Sequence, residues 1–109
     1  MARKDPVLQK IIELLKTEFN PSRLYLFGSR AAGTAHGESD YDFVMVLPKY
    51  SGDRMNMWEK CHGLIHEKYG VSADVFTYSE KQFNLKKEEF SSIPEIALNT
   101  GKEIDLGSA

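Results

Sequence analysis

The sequence predicts an α/β fold: a small mixed β-sheet with helices packed mainly on one side. Three observations predict it. Residues 24–27 and 41–47 are apolar runs of strand composition separated by a glycine-rich interval. Apolar residues at three- and four-residue spacing, the pattern of a helix with one buried face, run on either side of that stretch. A third strand-like run, residues 71–76, follows the second helical stripe, so strand and helix patterns alternate along the chain.

Each element has a local cause. Asp5 caps the first helix, and Pro6 suits its first turn because an amide there would have no intrahelical acceptor. Val7, Leu8, Ile11, Ile12, Leu15 and Phe19 make its buried face, and Asn20-Pro21 ends it. The first strand, 24–27, is apolar on both faces and stops at Gly28-Ser29, after which residues 29–32 form a short helix and 33–39 a mobile loop. In the second strand, 41–47, alternation sends Tyr41, Phe43, Met45 and Leu47 to one face and Asp42, Val44 and Val46 to the other. Pro48 ends it, and 49–54 is a turn. Met55, Trp58, Cys61, Leu64, Ile65 and Tyr69 form the stripe of a long helix that closes at Gly70, with Trp58 and Cys61 expected in the core. Beyond strand three, Ser79 and Gln82 have the spacing of a capping box, residues 84–89 read as a charged connection, and residues 91–99 form a helix with Pro94 in its first turn. Gly101 stops that helix, 104–106 is expected as a short last strand, and 107–109 as a disordered tail.

The chemistry gathers between strands one and two. Asp40 and Asp42 are two apart at a strand start and so project from the same side. Carboxylates that converge raise one another's proton affinity unless a cation lies between them. With no His or Cys cluster nearby, the fitting ion is a hard one such as magnesium, which keeps several waters and is completed by substrate phosphates. At the other end of the interval, Gly28 lets backbone approach a ligand and Ser29 is read as an N-cap whose following amides point at an anion, with Arg30 beside them. Gly-Ser alone is an ordinary turn, and Asp-x-Asp alone is ordinary polar surface. A Gly-Ser followed after ten residues by Asp-x-Asp arises by chance on the order of once or twice in a thousand such chains. Asp74 interrupts the third apolar run and is costly there unless it is coordinated, paired, or turned to solvent at a sheet edge.

Other polar residues carry weaker signals. His36 is read as an inert loop residue, and Glu38, two before Asp40, as solvated surface or an outer-shell acid. His62 and His66 share a helix face but lack a third ligand, and Lys86 and Lys87 read as solvated. Nothing gives Cys61 the electropositive, exposed setting of a reactive thiol.

The run Gly28-Ser29, ten residues, Asp40-x-Asp42 resembles the signature of nucleotidyltransferases related to DNA polymerase beta, and among them the minimal nucleotidyltransferase domains. Arg30, Gly33 and Ser39 stand where those domains carry Arg, Gly and Ser, and Asp74 fits their third acid. The resemblance covers nearly the whole chain and implies the polymerase beta-like nucleotidyltransferase fold. It implies transfer of a nucleoside monophosphate, AMP above all, from ATP or another nucleoside triphosphate to an acceptor hydroxyl by a two-metal mechanism. Asp40, Asp42 and Asp74 would then be catalytic and would hold two Mg2+ ions, or Mn2+ in their place. Gly28, Ser29, Arg30 and Ser39 would bind the nucleotide. It further implies an antitoxin acting on a helical HEPN-type toxin partner, in a homo- or hetero-oligomer. Two alternatives stand beside this: a non-catalytic binding module that neutralises its partner by complex formation, and a small-molecule nucleotidyltransferase.

Composition narrows the rest. A length of 109 residues reads as a single domain over 1–109 with a modest core. Fourteen basic against 16 acidic residues give a net charge of −2, without the footprint of direct nucleic-acid binding, which argues against a templated polymerase. One cysteine leaves no intramolecular disulfide and agrees with a reducing cytosol, and no stretch reads as a membrane span or signal peptide. The expected location is therefore cytoplasmic.

Overall fold

The computed structural model describes residues 5–36 and 39–107. Helix α1 (Pro6–Phe19) begins where Asp5 Oδ1 accepts the Leu8 amide at 3.1 Å, and it ends at Asn20 in the left-handed conformation. Strand β1 (Arg23–Phe27) and the single-turn helix α2 (Ser29–Ala32) follow, then strand β2 (Tyr41–Leu47). Asp53 caps helix α3 (Arg54–Tyr69), accepting the Met55 and Asn56 amides, and Gly70 closes it at φ 70°. Strand β3 (Ala73–Ser79) runs into helix α4 (Glu80–Lys86) through the Ser79/Gln82 capping box, and Ser92 caps helix α5 (Ile93–Thr100) before the two-residue strand β4 (Lys102–Glu103).

The sheet is mixed, with order β3-β2-β1-β4: β1 is antiparallel to β2 and β4, and β2 is parallel to β3. Parallel pairing needs a crossover, and α3 supplies it. The two long helices, α1 and α3, cover one face. Ile11, Leu15, Cys61 and Ile65 pack there on Leu24, Phe43, Met45 and Val75. On the other face Phe83 of α4 and Ala97 of α5 close over Tyr25, Val44, Val46 and Tyr78, with Tyr25 and Phe83 stacked at 5.4 Å.

Several boundaries differ from the sequence reading. β3 begins two residues later than expected and runs to Ser79. The last strand is 102–103 rather than 104–106, although the Ile104 amide still bonds to Leu24 O at 2.8 Å. The segment read as a charged connection begins inside α4, because burying Phe83 gives that helix a core-facing side. Met55 is 62% exposed and so is not core. No helix among the described residues is long and apolar enough to cross a membrane.

Candidate functional site

Asp42 and Asp74 are each the second residue of their strand, and the parallel register sets them directly opposite one another. Both lie on the face of Val44, Val46 and Tyr78, beyond the part that α4 and α5 cover, and both are half-buried. Burial and the neighbouring charges of Asp74 and Asp40 push Asp42 up from 3.8 to about 6, and the Asp74 carboxyl is within hydrogen-bonding reach of it. Asp40 lies one residue before β2 and is exposed.

The third wall is backbone. β1 pairs with β2 so that Phe27 stands opposite Asp42, and the next residue, Gly28, passes against the Asp42 side chain. A Cβ at Gly28 would run into Asp42 Oδ2. Gly28 also has φ 75° and ψ −158°, a conformation almost confined to glycine. It is Gly28, not Ser29, that caps α2; Ser29 is the first helical residue, one place beyond its expected position, and no side chain caps this helix. The Ser29 and Arg30 amides therefore open the helix, where N–H groups lack intrahelical acceptors.

Arg30 turns the other way. Its guanidinium lies 4.2 Å from the centre of the Tyr41 ring, on the strand face opposite Asp42, donates to Ser39 O at 2.8 Å and stands 3.9 Å from Asp5 Oδ2. Tyr41 donates to the same Asp5 oxygen at 2.8 Å. Burial pushes Asp5 up, but the Leu8 amide, the Tyr41 hydroxyl and the Arg30 charge more than offset this and leave it below its usual value. Ser39 Oγ accepts the His36 amide at 2.9 Å, so Arg30 and Ser39 together tie the loop to the N-terminus of α1. Glu38 lies outside the described residues.

Trp58 was expected in the core. It is instead half-buried at the rim of the site, where its indole Nε1 donates to Asp74 Oδ1 at 2.8 Å. His62 stacks on the indole, with ring centres 5.0 Å apart, and its Nε2 lies 3.3 Å from Ser72 Oγ. His66 stacks on His62 in turn, at 6.4 Å. Nothing in the sequence pairs Trp58 with Asp74. The available signal was the indole itself, an amphipathic ring whose N–H asks for a polar partner when it is buried. Beside Trp58, a groove of about 480 Å³ opens between Arg54, Met55, Trp58 and Phe76.

Among the described residues, no three His, Cys, Asp or Glu side chains are gathered closely enough to hold a metal ion on their own. The donor set fits a hard cation held by the Asp42–Asp74 pair, whose shell water and ligand oxygens complete. Two like charges pressed together under a glycine, one of them with a raised proton affinity, are the arrangement such a cation relieves.

Comparison with known proteins agrees with this architecture. A crystal structure of a toxin–antitoxin with AMP-PNP superposes with a TM-score of 0.65 at 24% identity, covering 93% of this chain and 73% of that one. A MntA–HpeT toxin–antitoxin variant with a tyrosine changed to alanine gives 0.64 at 22% identity, over 94% of this chain and 72% of that one. A variant of the same complex with two aspartates changed to glutamates gives 0.63 at 22% identity, over 93% and 73%. At such identities the likeness is one of fold. No curated protein matches the chain. The family described as Polymerase beta, Nucleotidyltransferase matches residues 9–96, a span that contains the glycine-serine turn and all three aspartates, and the chain belongs to that family.

Proposed function

We propose that this protein transfers AMP from ATP to a hydroxyl group on a partner protein, as the antitoxin member of a toxin–antitoxin pair whose toxin is of the helical HEPN type. The observation that carries the reading is the Asp42–Asp74 pair facing the Gly28 backbone, on a chain of the nucleotidyltransferase family. That the fold neighbours are toxin–antitoxin structures, one with AMP-PNP, supports the nucleotide and the partner class.

Each residue has a part that follows from its position. The Gly28–Ser29 turn offers backbone amides to the β- and γ-phosphates, and Gly28 admits them because it has no side chain. Asp42 and Asp74, with Asp40 at the rim, would hold Mg2+ or Mn2+. When bound, these ions would neutralise charge on the α-phosphate and the leaving group and lower the proton affinity of the acceptor hydroxyl. The acceptor oxygen forms a bond to the α-phosphorus, the bond from that phosphorus to the oxygen bridging the α- and β-phosphates breaks, and pyrophosphate leaves. Asp74 takes the hydroxyl proton. Arg30 and Ser39 fix the loop that borders the nucleotide.

The test is to incubate the chain with ATP, Mg2+ and the product of the adjacent gene, and to weigh the partner intact. A gain of one AMP unit or more, absent with Asp42→Asn, is the expected result. An unmodified partner that is still neutralised, by the native chain and by an Asp40/Asp42 double variant alike, would mean a binding module.

A further inference from the structure

We infer that Trp58 is a positioning residue for the cation site: its indole N–H fixes the Asp74 carboxylate in the orientation that site needs. The inference rests on the functional reading above and adds a residue to it. Asp74 is on the edge strand of the sheet and is only half-buried, so the sheet gives its side chain a neighbour on one side alone, Asp42. That neighbour repels it. An aspartate so placed is free to swing about χ1 away from Asp42 towards water, which would disperse the pair.

Trp58 opposes this swing. Its Nε1 engages Oδ1 at 2.8 Å, leaving Oδ2 unengaged by the indole. Indole N–H is a donor with no acceptor capacity, so its one possible part here is to hold the carboxylate oxygen in place. The indole is itself held in place. His62, one helical turn on, stacks against it at 5.0 Å and 21°, and His62 is tethered through Nε2 to Ser72, two residues before Asp74 in the chain. The series Ser72, His62, Trp58, Asp74 thus closes a ring between the crossover helix and the start of β3. Outer partners of metal-binding carboxylates commonly affect affinity by about 10–100-fold when removed.

Because Trp58 is the sole tryptophan, it also reports on the site. In the native chain with ATP present, titration with Mn2+ should change the tryptophan emission saturably, and Asp74→Asn should abolish the change. Trp58→Phe keeps a ring to stack on His62 but removes the N–H. It should unfold within a few degrees of the native chain and bind Mn2+, measured by electron paramagnetic resonance of the free ion, about tenfold more weakly. Trp58→His, which restores a ring N–H, should recover part of that loss. Equal Mn2+ affinity in Trp58→Phe and the native chain, or a native emission that ignores bound Mn2+, overturns the inference and leaves the functional reading standing. A native chain that binds no Mn2+ with ATP overturns both.

Discussion

Asp42 and Asp74 face each other across a parallel strand pair, at the second residue of each strand, with the Gly28 backbone pressed against the first of them. An arrangement of two like charges in half-buried positions opposes the stability of the empty fold. It is maintained by the register, which also buries Phe43 against Val75 and Met45 against Thr77 in the same ladder. Slipping the pair by one residue to separate the acids would turn those core side chains to the other face.

The pH dependence of the metal-free protein should show this cost. Asp42 has its folded pKa raised from 3.8 to about 6 by burial and by the charges of Asp74 and Asp40. Its contribution to stability is therefore fully present below pH 3.8 and is lost as the pH rises through about 6. Allowing for solvent screening, the loss is roughly 1–2 kcal/mol. Thermal unfolding in EDTA should show Asp42→Asn gaining stability relative to the native chain between pH 4 and 7. Asp5, whose pKa is lowered, acts with the opposite sign and in a more acid window: its contribution is present above 3.8 and fades below it.

Millimolar Mg2+ should reverse that cost at pH 7.5. A ligand that binds only the folded state stabilises it by mass action, by about 2.7 kcal/mol at a hundredfold excess over its Kd. The melting temperature should rise with Mg2+ and ATP in the native chain and stay fixed in an Asp42→Asn/Asp74→Asn double variant. A rise of equal size in both would place the cation elsewhere.

Gly28→Ala should damage site and fold together. The added Cβ meets the Asp42 carboxylate, and the backbone conformation at φ 75° is strained for any side chain, at a cost on the order of 1–3 kcal/mol. Nucleotide transfer should fall below detection while circular dichroism at low temperature is preserved.

Replacing Arg30 by Met should loosen the loop. The variant loses the bond to Ser39 O, the contact with the Tyr41 ring and the charge beside Asp5. Stability should fall by about 1–2 kcal/mol, and amide exchange should quicken at residues 33–36 and at Ser39 more than in β2.

Ser79→Ala serves as a contrast at the far end of β3. It removes the capping box of α4 and should cost about 1 kcal/mol with no change in transfer activity, since α4 packs on the sheet away from the acids.

The sequence by itself determined the elements and the spacing of the motif. Pro6 after Asp5, Gly70 at a helix end and Ser79 with Gln82 are local signals whose causes lie within a turn of helix, and each appears where the residues placed it. The alternation of Tyr41, Phe43 and Met45 with Asp42, Val44 and Val46 likewise fixed which face of β2 each side chain takes, because the period of a strand is two. Only the tertiary structure decided that β3 lies parallel to β2 in the register that puts residue 74 opposite residue 42. It also decided that Arg30 turns to Asp5 and Tyr41, and that Trp58 reaches Asp74 instead of the core. Those partners are far apart along the chain, and their meeting depends on how α3 crosses from one strand to the next, which no local spacing encodes.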